Sequence, residues 1–132
     1  MILCVGSINV DLVYRLADLP GPGETLAARS FSRGLGGKGA NQSVAAARAG
    51  AEVTHFCPVG ADAADLLAQM AAAGVRHAGP VLDAQANGHA SAWASERSGQ
   101  TDIAIHAATN AMITLAALSH VCPELGPRDR VT

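Results

Sequence analysis

Ser-Arg-Gly-Leu-Gly-Gly-Lys-Gly-Ala-Asn, residues 32–41, constrains this chain more than any other stretch. Gly34, Gly36, Gly37 and Gly39 crowd around Lys38 and lead straight into an alanine-rich segment that ends at Gly50. Glycine lets backbone amides approach a partner with no side chain in between. A helix opening on such a loop also presents unpaired N–H groups. The partner of a loop built this way is anionic or densely hydroxylated. Alanine favours helix, which places one from about Asn41 to Ala49, and Gly50 stands where a left-handed C-terminal cap belongs.

The surrounding sequence alternates strands and helices. Residues 2–8 form a short apolar run, as expected of a strand buried on both faces of a parallel sheet. Extended residues follow to Leu16, with a Pro/Gly turn at 20–25 and a candidate strand at 25–33. The β-branched stretch at 52–60 is strand-like. A helix begins near Asp62, its expected N-cap, and ends before Gly74. Residues 75–82 read as a strand interrupted by Gly79-Pro80. Residues 89–96 and 101–107 flank Arg-Ser-Gly-Gln, a hairpin signature. Residues 110–121 form a weaker helix candidate. The tail from Cys122 reads as turn, then as extended from Arg130. The class is α/β, and the hairpins at 11–33 and 89–106 suggest an added antiparallel piece.

A chain of 132 residues suits one domain. With 49% hydrophobic residues and 3% aromatics, its core must be built mainly from Ala, Val, Leu and Ile. The net charge of −2 gives no broad basic surface for nucleic acid or acidic membrane. The N-terminus lacks the basic start of a signal peptide, and no run of ~18 apolar residues occurs. A soluble cytoplasmic protein is expected. Cys4, Cys57 and Cys122 show no zinc-ligand spacing and read as buried free thiols. The histidines at 55, 77, 89, 106 and 120 form no known catalytic or metal motif and read as structural or surface residues. Trp93 and Met112 read as packing residues.

Three readings of the glycine loop compete. A P-loop counted back from Lys38 needs Gly where Ser32 stands, and Ser or Thr where Gly39 stands. A dinucleotide fingerprint is formally met by Gly34, Gly36 and Gly39. It also needs an acidic residue at the end of the next strand, and Glu52 lies at that strand's start. The third reading takes the loop together with the first strand's end. Asn9 and Asp11 are two apart, so in an extended segment they share a face. With Gly36, Gly37, Lys38 and Asn41 they offer carboxylate, amide, ammonium and bare backbone, a set that satisfies a polyol. Taken alone, Asn9 and Asp11 read as turn formers at a strand end, and Lys38 has the alternative of a solvated loop lysine; beside the Gly-Lys motif, ligand contact is the favoured reading.

Gly-Ser-Ile-Asn-Val-Asp at 6–11 and Gly-Gly-Lys-Gly-Ala-Asn at 36–41, with Gly50 and Gly60 downstream, resemble the N-terminal part of ribokinase-family proteins, the PfkB-type sugar kinases. The resemblance runs to about residue 110. It implies a ribokinase-like three-layer α/β/α sandwich with a small β-sheet lid, whose strands fall within 11–33 and 89–106 and double as a homodimer surface. It implies that Asn9, Asp11, Gly36, Gly37, Lys38 and Asn41 bind a pentose, most readily D-ribose phosphorylated at its 5-hydroxyl. ATP and Mg²⁺, with K⁺ as a further ion, are the cofactors of the complete family enzyme. The family's catalytic Asp sits in a Gly-Ala-Gly-Asp segment, which does not occur in these 132 residues. The expectation is therefore a truncated sugar-binding portion, 1–132, with no catalytic residue or metal site of its own and inactive alone. The alternatives are a non-catalytic truncated product or interaction module that binds sugar weakly, then a Rossmann-type nucleotide-binding domain. Three positions depart from the family pattern: Asp65 replaces a glycine, Asn87 precedes Gly88 where Thr is usual, and His-Ala-Ala-Thr-Asn at 106–110 replaces His-Ala-Gly-Ala-Asn.

Overall fold

The computed structural model describes residues 1–119 and 121. The expectations for His120, Cys122 and the tail beyond lie outside the described residues. In chain order the elements are β1 (Ile2–Val5), β2 (Asn9–Leu16), β3 (Ser30–Gly36), α1 (Lys38–Arg48), β4 (Val53–Phe56), β5 (Val59–Gly60), α2 (Ala64–Ala72), β6 (Val75–His77), β7 (Val81–Leu82), β8 (His89–Ser95), β9 (Thr101–His106) and α3 (Leu115–Ser119). Short 3-10 turns cover Ala61–Ala63 and Ala108–Met112.

The strands form a parallel body sheet of order β1-β4-β6, a second sheet of order β3-β2-β8-β9, and a small parallel pair of β5 with β7. In the second sheet β2 runs parallel to β8, and each has its hairpin partner, β3 or β9, outside it. The two hairpins read as an added antiparallel piece are thus one four-stranded sheet. In the body, β4 is buried along its whole length, as befits a strand flanked on both sides. β1 departs from the expected two-sided burial. Among the described residues it pairs with β4 alone, and Ile2 is 44% exposed. Ile8, Val10, Ala40, Val53, Val59, Leu66, Met70 and Val75 build the core, aliphatic as the composition required. Phe56, on the opposite face of β4 from His55, shares an apolar hollow with Ala117 and Val121.

Several boundaries differ from the sequence expectation for reasons of packing. α1 starts at Lys38 because Gly37, with φ 96°, turns the chain from β3 into the helix with no loop between. β3 runs through Gly34 and Gly36, which pair with Asp11 and Asn9 of β2. The caps at Gly50 and Gly74 are as expected, with φ of 94° and 86°. Asp62 does not cap α2: its carboxylate instead accepts the Asn87 backbone N–H at 2.8 Å. The 110–121 helix divides into a 3-10 turn and the short α3.

His55 ties the layers together. Its Nε2–H donates to the Gly6 carbonyl at 3.0 Å, which leaves Nδ1 to accept from the Ser43 hydroxyl of α1 at 2.7 Å. Burial, with a smaller effect of nearby His77, holds its pKa below the ordinary 6.5, although the Gly6 bond opposes the shift. The folded protein therefore keeps His55 neutral where the unfolded chain would bind a proton. The stability from this ring is fully present above the unfolded value and is lost as pH falls from 6.5 towards the lower folded value. The expected result is a melting temperature that becomes acid-sensitive as pH falls below about 6.5, with a slope of at most ~1.4 kcal/mol per pH unit from this proton. The slope should flatten in His55→Gln, even if that variant is less stable at neutral pH. Parallel pH profiles for the two proteins would contradict this assignment.

Candidate functional site

Strand periodicity builds one wall of the site. Asn9 and Asp11 point to the same face of β2, and their partners across the sheet on that face are small: Gly36 and Gly34 on β3, and Ala90 on β8. Ala90 in turn pairs with Ile105 of β9. The facing wall is the N-terminal turn of α1. Between them lies a cleft of about 420 Å³, within the range of small-molecule sites. It brings together Asn9, Asp11, Gly37, Lys38 and Asn41 with Ser7, Ala90, Ile103, Ile105, Ala107 and Asn110.

Gly36 does not line the cleft. A Cβ there would fall onto the Asp11 carboxylate, so its bareness makes room for that side chain. Gly39 serves a similar end, since a Cβ on it would lie 2.6 Å from the Gly6 carbonyl carbon. Both glycines admit parts of the protein itself. Gly37 alone of the three is exposed to the cleft.

Asp11 is half-buried, and no donor from the described residues satisfies its carboxylate. Burial raises its pKa. Lys38 is exposed and makes no ion pair among the described residues. Among the described residues, the cleft thus offers a carboxylate and an ammonium without partners over apolar Ala and Ile surface. Such a lining suits a neutral guest with several hydroxyls, which can donate to the acid and accept from the amine.

Asn110 was missed by sequence reasoning. Its amide donates to Asn9 Oδ1 at 2.6 Å and accepts from the Ile8 backbone N–H, 102 positions away, at 3.0 Å. The family-like segment at 106–110 was a signal that the region mattered, but not of this bond. Ile103 and Ile105 could have been found from their alternation in β9. The departures also have physical roles. Asn87 is fully buried and bonded to Ile8, Gly60, Thr109 and the carbonyl of Gly88. Asp65 pairs with Arg33 of β3, whose guanidinium also reaches the Asp62 carbonyl at 3.1 Å, tying the second sheet to α2. Ala108 takes φ 42°, the left-handed region that glycine enters at less cost.

A parallel α/β body, with a second sheet forming one wall of a cleft at the body's strand ends, defines a ribokinase-like α/β protein. The family model described as pfkB family carbohydrate kinase matches residues 1–132, and the chain belongs to that family. It is 48% identical over 58 residues to the ribokinase of Haemophilus influenzae, a match covering 44% of this chain and 19% of that protein. It is also 48% identical over 61 residues to the deoxyribokinase of Salmonella typhi, covering 46% of this chain and 20% of that one. The structure of Arabidopsis thaliana ribokinase complexed with ribose and ATP matches with a TM-score of 0.70 and 30% identity, over 82% of this chain and 36% of that one. The chain therefore spans a minor part of the length of the relatives it matches.

Proposed function

We propose that this chain is the sugar-binding portion of an ATP-dependent pentose kinase, with D-ribose, phosphorylated at its 5-hydroxyl, as the first candidate substrate. The convergence of Asp11 and Lys38 on one cleft carries the reading. Asn9 and Asp11 hold hydroxyls from the second sheet, while Lys38, Asn41 and the bare backbone at Gly37 hold them from α1. Gly36 contributes by seating Asp11. The Arabidopsis relative complexed with ribose and ATP supports both sugar and nucleotide. ATP supplies the phosphoryl group and Mg²⁺ spreads its charge. No three His, Cys, Asp or Glu side chains among the described residues are grouped to hold a metal.

Phosphoryl transfer needs a positioned γ-phosphate and a base for the attacking hydroxyl, and the family-like residues here provide neither. The chain alone is expected to bind ribose without turning it over. The four-stranded sheet acts as the lid and, through exposed Phe31, as the surface of a homodimer in a cytoplasmic protein. Calorimetric titration with D-ribose, paired with a coupled assay containing ATP, Mg²⁺ and ribose, tests the reading. Saturable binding with no turnover supports it. Turnover above background refutes the inactivity. Absence of binding to any pentose refutes the sugar site and leaves the second reading, an interaction module that uses the same sheet.

A further inference from the structure

Two neighbouring amides in the cleft have unequal freedom. Asn110 Oδ1 accepts from the Ile8 backbone N–H at 3.0 Å and from the Cys57 thiol at 3.1 Å. A backbone N–H can only donate, so the atom facing it is the oxygen and the orientation of the Asn110 amide follows. Burial raises the Cys57 pKa to about 11, so at neutral pH its thiol keeps the single proton that Asn110 Oδ1 and the Pro58 carbonyl, 3.3 Å away, share. Gly88 presses on the other side: a Cβ there would fall onto Asn110 Nδ2. The NH₂ of Asn110 is thereby turned to Asn9 Oδ1 at 2.6 Å.

We infer that Asn110 is a positioning residue that sets the polarity of Asn9, engaging its oxygen and leaving its NH₂ as the group offered to the guest. The inference rests on the sugar-site reading for its ligand, but not for its geometry. Beside Asp11, a pure acceptor when ionised, Asn9 then presents its NH₂ as a donor. A hydroxyl meeting that NH₂ must accept, and one meeting Asp11 must donate. The pair reads an ordered arrangement of hydroxyls, and two acceptors in a row would lose it.

The same logic names two variants that should converge. Asn110→Asp keeps acceptors for Ile8 and Cys57 but has no donor for Asn9. Asn9 must then swing its NH₂ to the new carboxylate and turn its oxygen to the cleft. Asn9→Asp leaves Asn110 in place and also puts an acceptor in the cleft. Each should weaken D-ribose binding about tenfold or more, the value of one hydrogen bond to a group left unpaired. The two variants are compared singly, because together they would set two carboxylates against each other.

The decisive readout is the side-chain ¹⁵N–¹H₂ resonance pair of Asn9, followed without sugar in the labelled 132-residue chain. Asn110→Asp should move it strongly, as its NH₂ passes from the cleft to a carboxylate. An unmoved Asn9 resonance, or D-ribose affinity unchanged in Asn110→Asp, would overturn the inference. A purely structural Asn110 would lower the melting temperature and leave that resonance in place, which also overturns it. Failure of the unaltered chain to bind D-ribose would instead overturn the sugar reading, and the resonance would still decide the polarity of Asn9.

Discussion

Replacing Asp11 by Asn should weaken ribose binding about 100-fold and, at the same time, raise the melting temperature at neutral pH. The two effects have one origin. The Asp11 carboxylate is half-buried, finds no donor among the described residues, and has its pKa raised by that burial. An acid whose folded pKa lies above its unfolded value of 3.8 destabilises the fold wherever it is ionised. That cost is relieved as pH falls through the folded value. A neutral isostere removes it, so the gain in melting temperature should shrink as the buffer is acidified towards the carboxylate range. Binding moves the other way. Hydrogen bonds to a charged acceptor are worth ~1.5–3 kcal/mol each, so losing the charge should weaken ribose by about 100-fold. Thermal melts at two pH values and a ribose titration check both halves. A lower melting temperature at neutral pH, or an unchanged affinity, would contradict the assignment of Asp11 as a ligand-directed acid.

The second large effect is expected at Gly37. Its backbone, at φ 96° and ψ 134°, lies in a region that residues with a Cβ rarely enter. A Cβ would also run into the Ser7 carbonyl, the acceptor for the Ala40 N–H at 3.1 Å and thus part of the seam between α1 and the turn after β1. Gly37→Ala should therefore cost ~3 kcal/mol or more in urea unfolding. Gly50→Ala is the internal comparison. Gly50 has a similar φ of 94°, but a Cβ there meets nothing within 4 Å, so the expected cost is only the left-handed backbone term of ~1–2 kcal/mol. The difference between the two variants measures the steric seam together with the rarer backbone region of Gly37. Equal losses would mean that Ser7 yields and the seam is not tight.

Much of this architecture could be read locally. Gly50 and Gly74 end their helices because a helix end needs a residue that tolerates positive φ, and that need is confined to one turn. Asn9 and Asp11 could be placed on one face from the twofold period of a strand alone. Readings failed where a residue's partner is distant in sequence. Gly34 and Gly36 look like loop, but pairing with β2 makes them strand. Asp62 has the chemistry of a cap, yet Asn87, 25 positions on, takes its carboxylate. The helix expected from Asn110 onward is broken at its start, where the Asn110 side chain is committed to Ile8 and Asn9. The site divides in the same way: its donors and acceptors follow from residue type, while the bond that orients Asn9 spans 101 positions.

The chain passes from the body to the second sheet between Val5 and Asn9, and returns at Gly37. Asn9 and Asp11 thus belong to one plate and Lys38 and Asn41 to the other, with the guest spanning the gap as a strut. Tilting the plates changes the grip on the strut, and a strut that fits must set the tilt by an equal amount of free energy. On the proposed reading, a contact that braces the plates from outside, such as Arg33 against Asp65, is expected to adjust affinity without touching the guest.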